Sequence, residues 1–305
     1  MNKIFITAAL TGAVHVPSMS PYLPITPDEI AEDAVSACEA GAAVVHIHAR
    51  NPKTGEPSSS LELMKETIQK VKERCDAIIC ITTGASQLMS VDERLSPVSQ
   101  LKPELASCNA GSMNFVLAEI AGKIEDGFGW EKPYLEKTRD NVFKNTFNGM
   151  EKYIKTMEEF GTKPEFEVYD VSMINNLAYF KHKGVLKGKV YVQFVLGILG
   201  GLPATVENLV FLKNTADRLL GDYIWSVAAA GKHQLPIAAA ALSLGGNVRV
   251  GLEDNLFIKR GVLAKSSGEQ VLAVKSIADV LGYDLASPEE VRKIIGLKGA
   301  DKVAF

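Results

Sequence analysis

The chain lacks an excess of charge of either sign. Its 33 Lys and Arg stand against 36 Asp and Glu, a formal net charge of -3, and the cations are scattered among the acids. A nucleic-acid partner needs a basic stripe or patch, so none is expected. No apolar run reaches the roughly 20 residues of a membrane span, which argues against a membrane protein. Lys3 followed by the apolar residues 4–14 has the outline of a short secretory leader. Thr7 and Thr11 interrupt it and a Pro-containing loop follows, so it reads better as a first strand and the chain as cytoplasmic.

Cysteine is sparse and unpatterned. Cys38, Cys75, Cys80 and Cys108 include no CxxC pair, which points to reduced structural thiols rather than a disulfide framework or a thiolate cluster. The dinucleotide fingerprint GxGxxG is also missing; Gly197, Gly200 and Gly201 have the wrong spacing. No repeat or low-complexity tract interrupts the 305 residues.

What is present is alternation. Short β-rich runs at 4–9, 43–48, 77–82, 105–109, 166–171, 190–196, 223–228 and 248–252 are separated by stretches of helical period. Thr26 before Pro27, Asp28 and Glu29, and Ser287 before Pro288, Glu289 and Glu290, are helix starts with a cap and a first-turn proline. Eight strand–helix units without a nucleotide fingerprint predict an α/β fold of the (β/α)8 TIM-barrel type, one catalytic domain over residues 1–305. Residues 123–144 fit neither period and form an insertion after strand four, either a lid or an oligomer contact.

Chemistry in such a barrel belongs at the C-terminal ends of the strands. His46 and His48, two apart in VVHIHAR, face one side with Cα atoms roughly 6.5 Å apart. Shared metal ligation outweighs the alternative, two imidazoles satisfied by core hydrogen bonds. Strand eight neighbours strands one and two across the barrel closure, and VRVGLEDN brings Glu253 and Asp254 to its end. Two imidazoles and a carboxylate would leave open positions for substrate, as in a catalytic zinc site. Adjacent residues point apart, so one acid can bind metal while the other acts as a base; Arg249 either pairs with Asp254 or both are solvated surface charges. Thr82, Thr83, Gly84, Ser107 and Asn109 place small donors near the metal, or simply form turns. The GILGGLPAT stretch either offers N–H groups to a phosphate or closes a tight loop, and Lys232 and His233 either meet an anionic substrate or open a helix.

Taken together, VVHIHAR, ITTGAS, LASCNAGSMNF, YVQFVLGILGG and NVRVGLEDN resemble the β-keto acid cleavage enzymes, including the 3-keto-5-aminohexanoate cleavage enzyme. The similarity runs over essentially the whole chain, and the combination of HxH with RxGxEDN is highly specific. It implies a zinc-dependent acyltransferase that converts a β-keto acid and acetyl-CoA into acetoacetate and another acyl-CoA. It also implies a homo-oligomer such as a tetramer. His46, His48 and Glu253 correspond to the metal ligands, and Asp254, supported by Arg249, to the general base. Thr82 and Ser107 match hydroxyls that bind the keto acid, and Ala85 a backbone contact. Metal on the keto and carboxylate oxygens would ease removal of the C2 proton. Two positions depart from the aminohexanoate enzyme: Thr82 replaces a serine, and Val14 stands where that enzyme carries a carboxylate suited to an amino group. Val14 therefore predicts an uncharged substrate tail, unless the ring of His15 lines the pocket instead. A metal-dependent aldolase or lyase without CoA, or a metal-stabilised binding protein without turnover, are the competing readings.

Overall fold

The computed structural model describes residues 3–84, 89–125 and 127–305. Eight parallel strands close into a barrel: β1 (Ile6–Ala9), β2 (Val44–Ile47), β3 (Ile78–Ile81), β4 (Leu105–Asn109), β5 (Lys163–Val168), β6 (Val190–Leu196), β7 (Tyr223–Ala229) and β8 (Asn247–Val250). The closure pairs Val248 with Ile6 and Val250 with Ala8. All eight expected strands are thus barrel strands, in chain order, with helices between them. The fold is a (β/α)8 TIM barrel.

Helix α1 (Pro27–Ala40) begins as expected, the Thr26 side chain accepting from the Glu29 N–H while Glu29 returns to the Thr26 N–H. The same box at Ser287 and Glu290 starts the last helix, Pro288–Ile295. That helix brings Val291 and Ile295 under the barrel, where they pack with Phe5, Val44, Ile78, Leu105, Tyr191 and Ile224. This apolar layer seals the N-terminal end. Side chains alternate along a strand, so residues two further on face the same interior but nearer the C-terminal ends. There the interior turns polar: Thr7, His46, Cys80, Ser107, Gln193 and Ser226 are all buried.

Several boundaries differ from expectation, two of them for clear local reasons. β5 starts earlier, because Lys163 pairs with Leu105, and stops at Val168; Asp170 instead caps the next helix by accepting from the Ser172 N–H. β8 ends at Val250 because Gly251 turns with φ 149°, and a Cβ there would lie 1.9 Å from the Ala9 carbonyl oxygen. Glu253 and Asp254 therefore sit on a turn beyond the strand, free to point apart.

The insertion after β4 is wider than the 123–144 segment. Met113–Asn114 pairs antiparallel with Val142–Phe143 at its base, and short helices Ala118–Ala121 and Glu131–Glu136 lie between. It is pinned over the barrel mouth. The Trp130 indole donates to the Thr54 carbonyl at 3.0 Å and the Tyr134 hydroxyl to the Ala13 carbonyl at 2.7 Å. Fully buried Glu131 accepts from the Ser18 N–H and hydroxyl. Among the described residues no helix is long and apolar enough to cross a membrane.

Candidate active site

A cavity of about 210 Å³ opens at the C-terminal end of the barrel, walled by His46, His48, Thr82, Ser107, Glu167 and Glu253. Val14, Phe115, Tyr134 and Phe143 close its outer side, the last three carried by the insertion. The insertion thus lines the site, as a lid would.

The His46 and His48 rings stand edge to face, centroids 5.2 Å apart. Both present Nε2 to one oxygen of Glu253, at 3.8 Å and 3.6 Å from Oε1. Burial pushes the imidazoles down to about 3 and about 4 against the pull of Glu253, so both rings are neutral and keep a lone pair. Glu253 Oε2 and the Nδ1 atoms of both histidines are buried and have no hydrogen-bond partner among the described residues. Ligand atoms of the three residues lie within 4.8 Å of one another. A donor set of two neutral imidazoles and a carboxylate, with an orphaned buried oxygen, fits a divalent ion such as zinc.

Glu253 can take this place because residue 12 has no side chain. Gly12 sits at φ 58°, and a Cβ there would lie 2.2 Å from Glu253 Cγ. The carboxylate fills the space that any other residue would occupy.

Asp254 turns the other way, and the expected pair with Arg249 is bidentate: Nε donates to Oδ2 and Nη2 to Oδ1, both at 2.9 Å. Arg249 also donates to Glu253 Oε1 at 2.6 Å and to the Gln193 side-chain oxygen at 3.2 Å. It is buried, so the surface-charge alternative is excluded. Burial raises the Asp254 carboxyl above its ordinary value while Arg249 opposes the rise. Arg249 and Asp254 stand behind Glu253 rather than in the cavity wall.

Thr82 and Ser107 line the cavity as expected, and both also serve turns: Gly84 N–H donates to the Thr82 hydroxyl at 2.9 Å and Thr83 N–H to Ser107 Oγ at 3.3 Å. Ala85 lies outside the described residues. Val14 lines the cavity; His15 does not, its Nδ1 donating to the Leu252 carbonyl at 2.8 Å. Burial lowers the His15 imidazole to about 4, in keeping with a neutral ring in that bond. The path of this loop is set by Arg50, buried and with no carboxylate partner among the described residues. It donates to the Thr11 hydroxyl and to the Thr11, His15 and Gly55 carbonyls. The GILGGLP stretch is a tight loop whose Gly197, Gly201 and Leu202 N–H groups bond to Leu202, Ile198 and Tyr169 carbonyls. Those donors are not free for a phosphate.

Glu165 and Glu167 were not singled out from the sequence. They are inward-facing acids two apart on β5, and a charged residue at each alternate position of a barrel strand was the available signal. Glu167 lies 3.5 Å from Arg249 Nη1 and lines the cavity, and burial pushes its carboxyl up to about 7 against the pull of Arg249. Glu165 is within 3.7 Å of the Cys80 thiol, and burial raises its carboxyl as well. Glu165, Glu167, Glu253 and Asp254 thus gather around the buried Arg249 guanidinium.

Fold and family-type site together define a barrel enzyme with a candidate site at the strand C-terminal ends. The profile of the β-keto acid cleavage enzyme family matches residues 3–297, and the chain belongs to that family. It is 45% identical to the 3,5-dioxohexanoate:acetyl-CoA acetone transferase of Paraburkholderia graminis, across 100% of this chain and 99% of the relative. It is 39% identical to the 3-keto-5-aminohexanoate cleavage enzyme of Acetoanaerobium sticklandii, across 97% and 99%. Among solved structures, apo ObcA superposes with a TM-score of 0.74 at 22% identity, over 91% of this chain. The chain spans 66% of ObcA's length; this likeness concerns the fold.

Proposed function

We propose that the chain is a zinc-dependent acyltransferase that takes a β-keto acid with an uncharged tail and acetyl-CoA to acetoacetate and a second acyl-CoA. The observation that carries this reading is the convergence of His46, His48 and Glu253 in a cavity whose outer wall is Val14. The 45% identical relative is named for 3,5-dioxohexanoate, whose tail is an uncharged ketone. Val14 offers that tail apolar contact, whereas an ammonium there would be buried without a partner, at a cost of several kcal/mol.

His46, His48 and Glu253 would hold the ion, which when bound supplies Lewis-acid polarisation of the substrate's keto and carboxylate oxygens. Thr82 and Ser107 orient the keto acid through their hydroxyls. Asp254, held by the Arg249 fork behind Glu253, takes the C2 proton, and C2 attacks the acetyl thioester carbonyl as CoA thiolate leaves. That thiolate then attacks the original keto carbon, breaking its bond to C2, so that acyl-CoA departs and the acetoacetate carbanion recovers the proton. The insertion keeps water from the cavity through Phe115, Tyr134 and Phe143.

Purified protein given 3,5-dioxohexanoate should form acetoacetate only when acetyl-CoA is added. Cleavage without acetyl-CoA would establish the aldolase or lyase reading, and no cleavage across a panel of β-keto acids would reject the assignment.

A further inference from the structure

The catalytic cavity holds about 210 Å³, room for a small keto acid and an acetyl group but far below the 300–1,000 Å³ of a drug-sized ligand site. The nucleotide end of acetyl-CoA must bind elsewhere. A second cavity, of about 690 Å³, opens on the same C-terminal face of the barrel, between the turn after β7 and the hairpin Phe257–Lys259 with Val262–Leu263 after β8. Its walls include Lys232, Leu235, Pro236, Phe257, Lys259 and Arg260.

Charge and position select an occupant. Lys232, Lys259 and Arg260 converge on one cavity, and among the described residues none of them has a carboxylate within ion-pair distance. All three are exposed, so their charges are not spent inside the protein. Leu235, Pro236 and the 43% exposed Phe257 supply an apolar floor. An anion with phosphates and a flat ring matches that combination better than a purely apolar partner. The turn bearing Lys232 is also tied to the catalytic segment, Gly231 N–H donating to the Asp254 carbonyl at 2.8 Å. Asn255, one residue on, lines the cavity and fixes the hairpin by bonding both the N–H and the carbonyl of Phe257.

We infer that this basic cavity seats the 3'-phosphorylated ADP of acetyl-CoA, with Lys232, Lys259 and Arg260 on its phosphates. The flexible pantetheine arm then leads over the Asp254 turn to the metal-side cavity. This deepens the functional reading above and rests on it.

The test uses the whole protein with K259A/R260A and K232A variants; the three side chains are solvent-exposed, so folding is preserved. In K259A/R260A, KM for acetyl-CoA should rise about tenfold or more, with kcat and KM for the keto acid unchanged. S-acetylpantetheine, which lacks the nucleotide, should react equally with variant and wild type. An unchanged KM for acetyl-CoA, or equal losses with both thioesters, would overturn the inference. Calorimetric titration with adenosine 3',5'-bisphosphate needs no turnover: binding that weakens with salt and is lost in the double variant supports the site, and binding retained in both variants overturns it. Wild type that binds this nucleotide yet turns over no β-keto acid with acetyl-CoA would sink the functional reading while leaving the nucleotide site standing. A change of oligomeric state by sedimentation without a change in KM would mark the surface as a contact between copies and overturn the inference.

Discussion

Gly12 and Glu253 compete for the same volume, and the glycine yields it: a Cβ on residue 12 would lie 2.2 Å from Glu253 Cγ and 2.7 Å from its carboxyl carbon. Gly12→Ala must displace the carboxylate and also strain a backbone at φ 58°. Zinc affinity should fall at least about tenfold, as loss of one ligand implies, while the far-ultraviolet circular dichroism stays that of the folded barrel. His46→Ala and His48→Ala set the benchmark, each losing most of the metal. Full zinc occupancy in the histidine variants would remove the ligand assignment.

Asp254 and Glu167 lie on opposite sides of Arg249 and offer two candidate bases, one on the bidentate fork and one in the cavity wall with its carboxyl near 7. We expect Asp254→Asn to keep its metal and lose about 10²-fold or more in kcat. Glu167→Gln should lose less. The reverse ranking in steady-state kinetics, with zinc content equal in both variants, would transfer the proton to Glu167.

Val14 faces the cavity and His15 is held away by its bond to the Leu252 carbonyl. Wild type should therefore prefer an aliphatic or oxo-substituted β-keto acid over 3-keto-5-aminohexanoate, and Val14→Glu should narrow or reverse that preference in kcat/KM. Unchanged discrimination in Val14→Glu would show that this wall does not read the tail.

Away from the site, Asp33 on α1 accepts from the Ser267 N–H at 2.8 Å and the Ser267 hydroxyl at 2.6 Å. Burial nonetheless raises its carboxyl from an ordinary 3.8 to about 6. The folded state then binds the proton more tightly than the unfolded chain. Stability is lost as pH rises from about 4 to 6 and is level above, a loss of order 3 kcal/mol at most. Asp33→Asn lacks that titration, so its Tm relative to wild type should improve by about 5 °C between pH 4 and pH 7. A constant difference across that range would contradict the raised carboxyl.

The sequence by itself determined the eight strands, the helix starts and the facing of His46 and His48. These are local properties: a period of two along a strand and a cap within four residues of its helix leave their mark in neighbouring letters. The adjacency of Glu253 and Asp254 was equally plain, and the closure of the barrel brought Glu253 to the histidine pair.

Tertiary structure alone decided the rest. Which of Val14 and His15 enters the cavity depends on Arg50, some 35 residues away in sequence, holding the Thr11 and His15 carbonyls. The meeting of Glu167 with Arg249, 82 residues apart, and of Lys232 with the hairpin at Lys259 and Arg260, follows from loop paths that no short-range period encodes. Backbone alternation tells which face a side chain takes; only the packing of distant segments tells what stands opposite it.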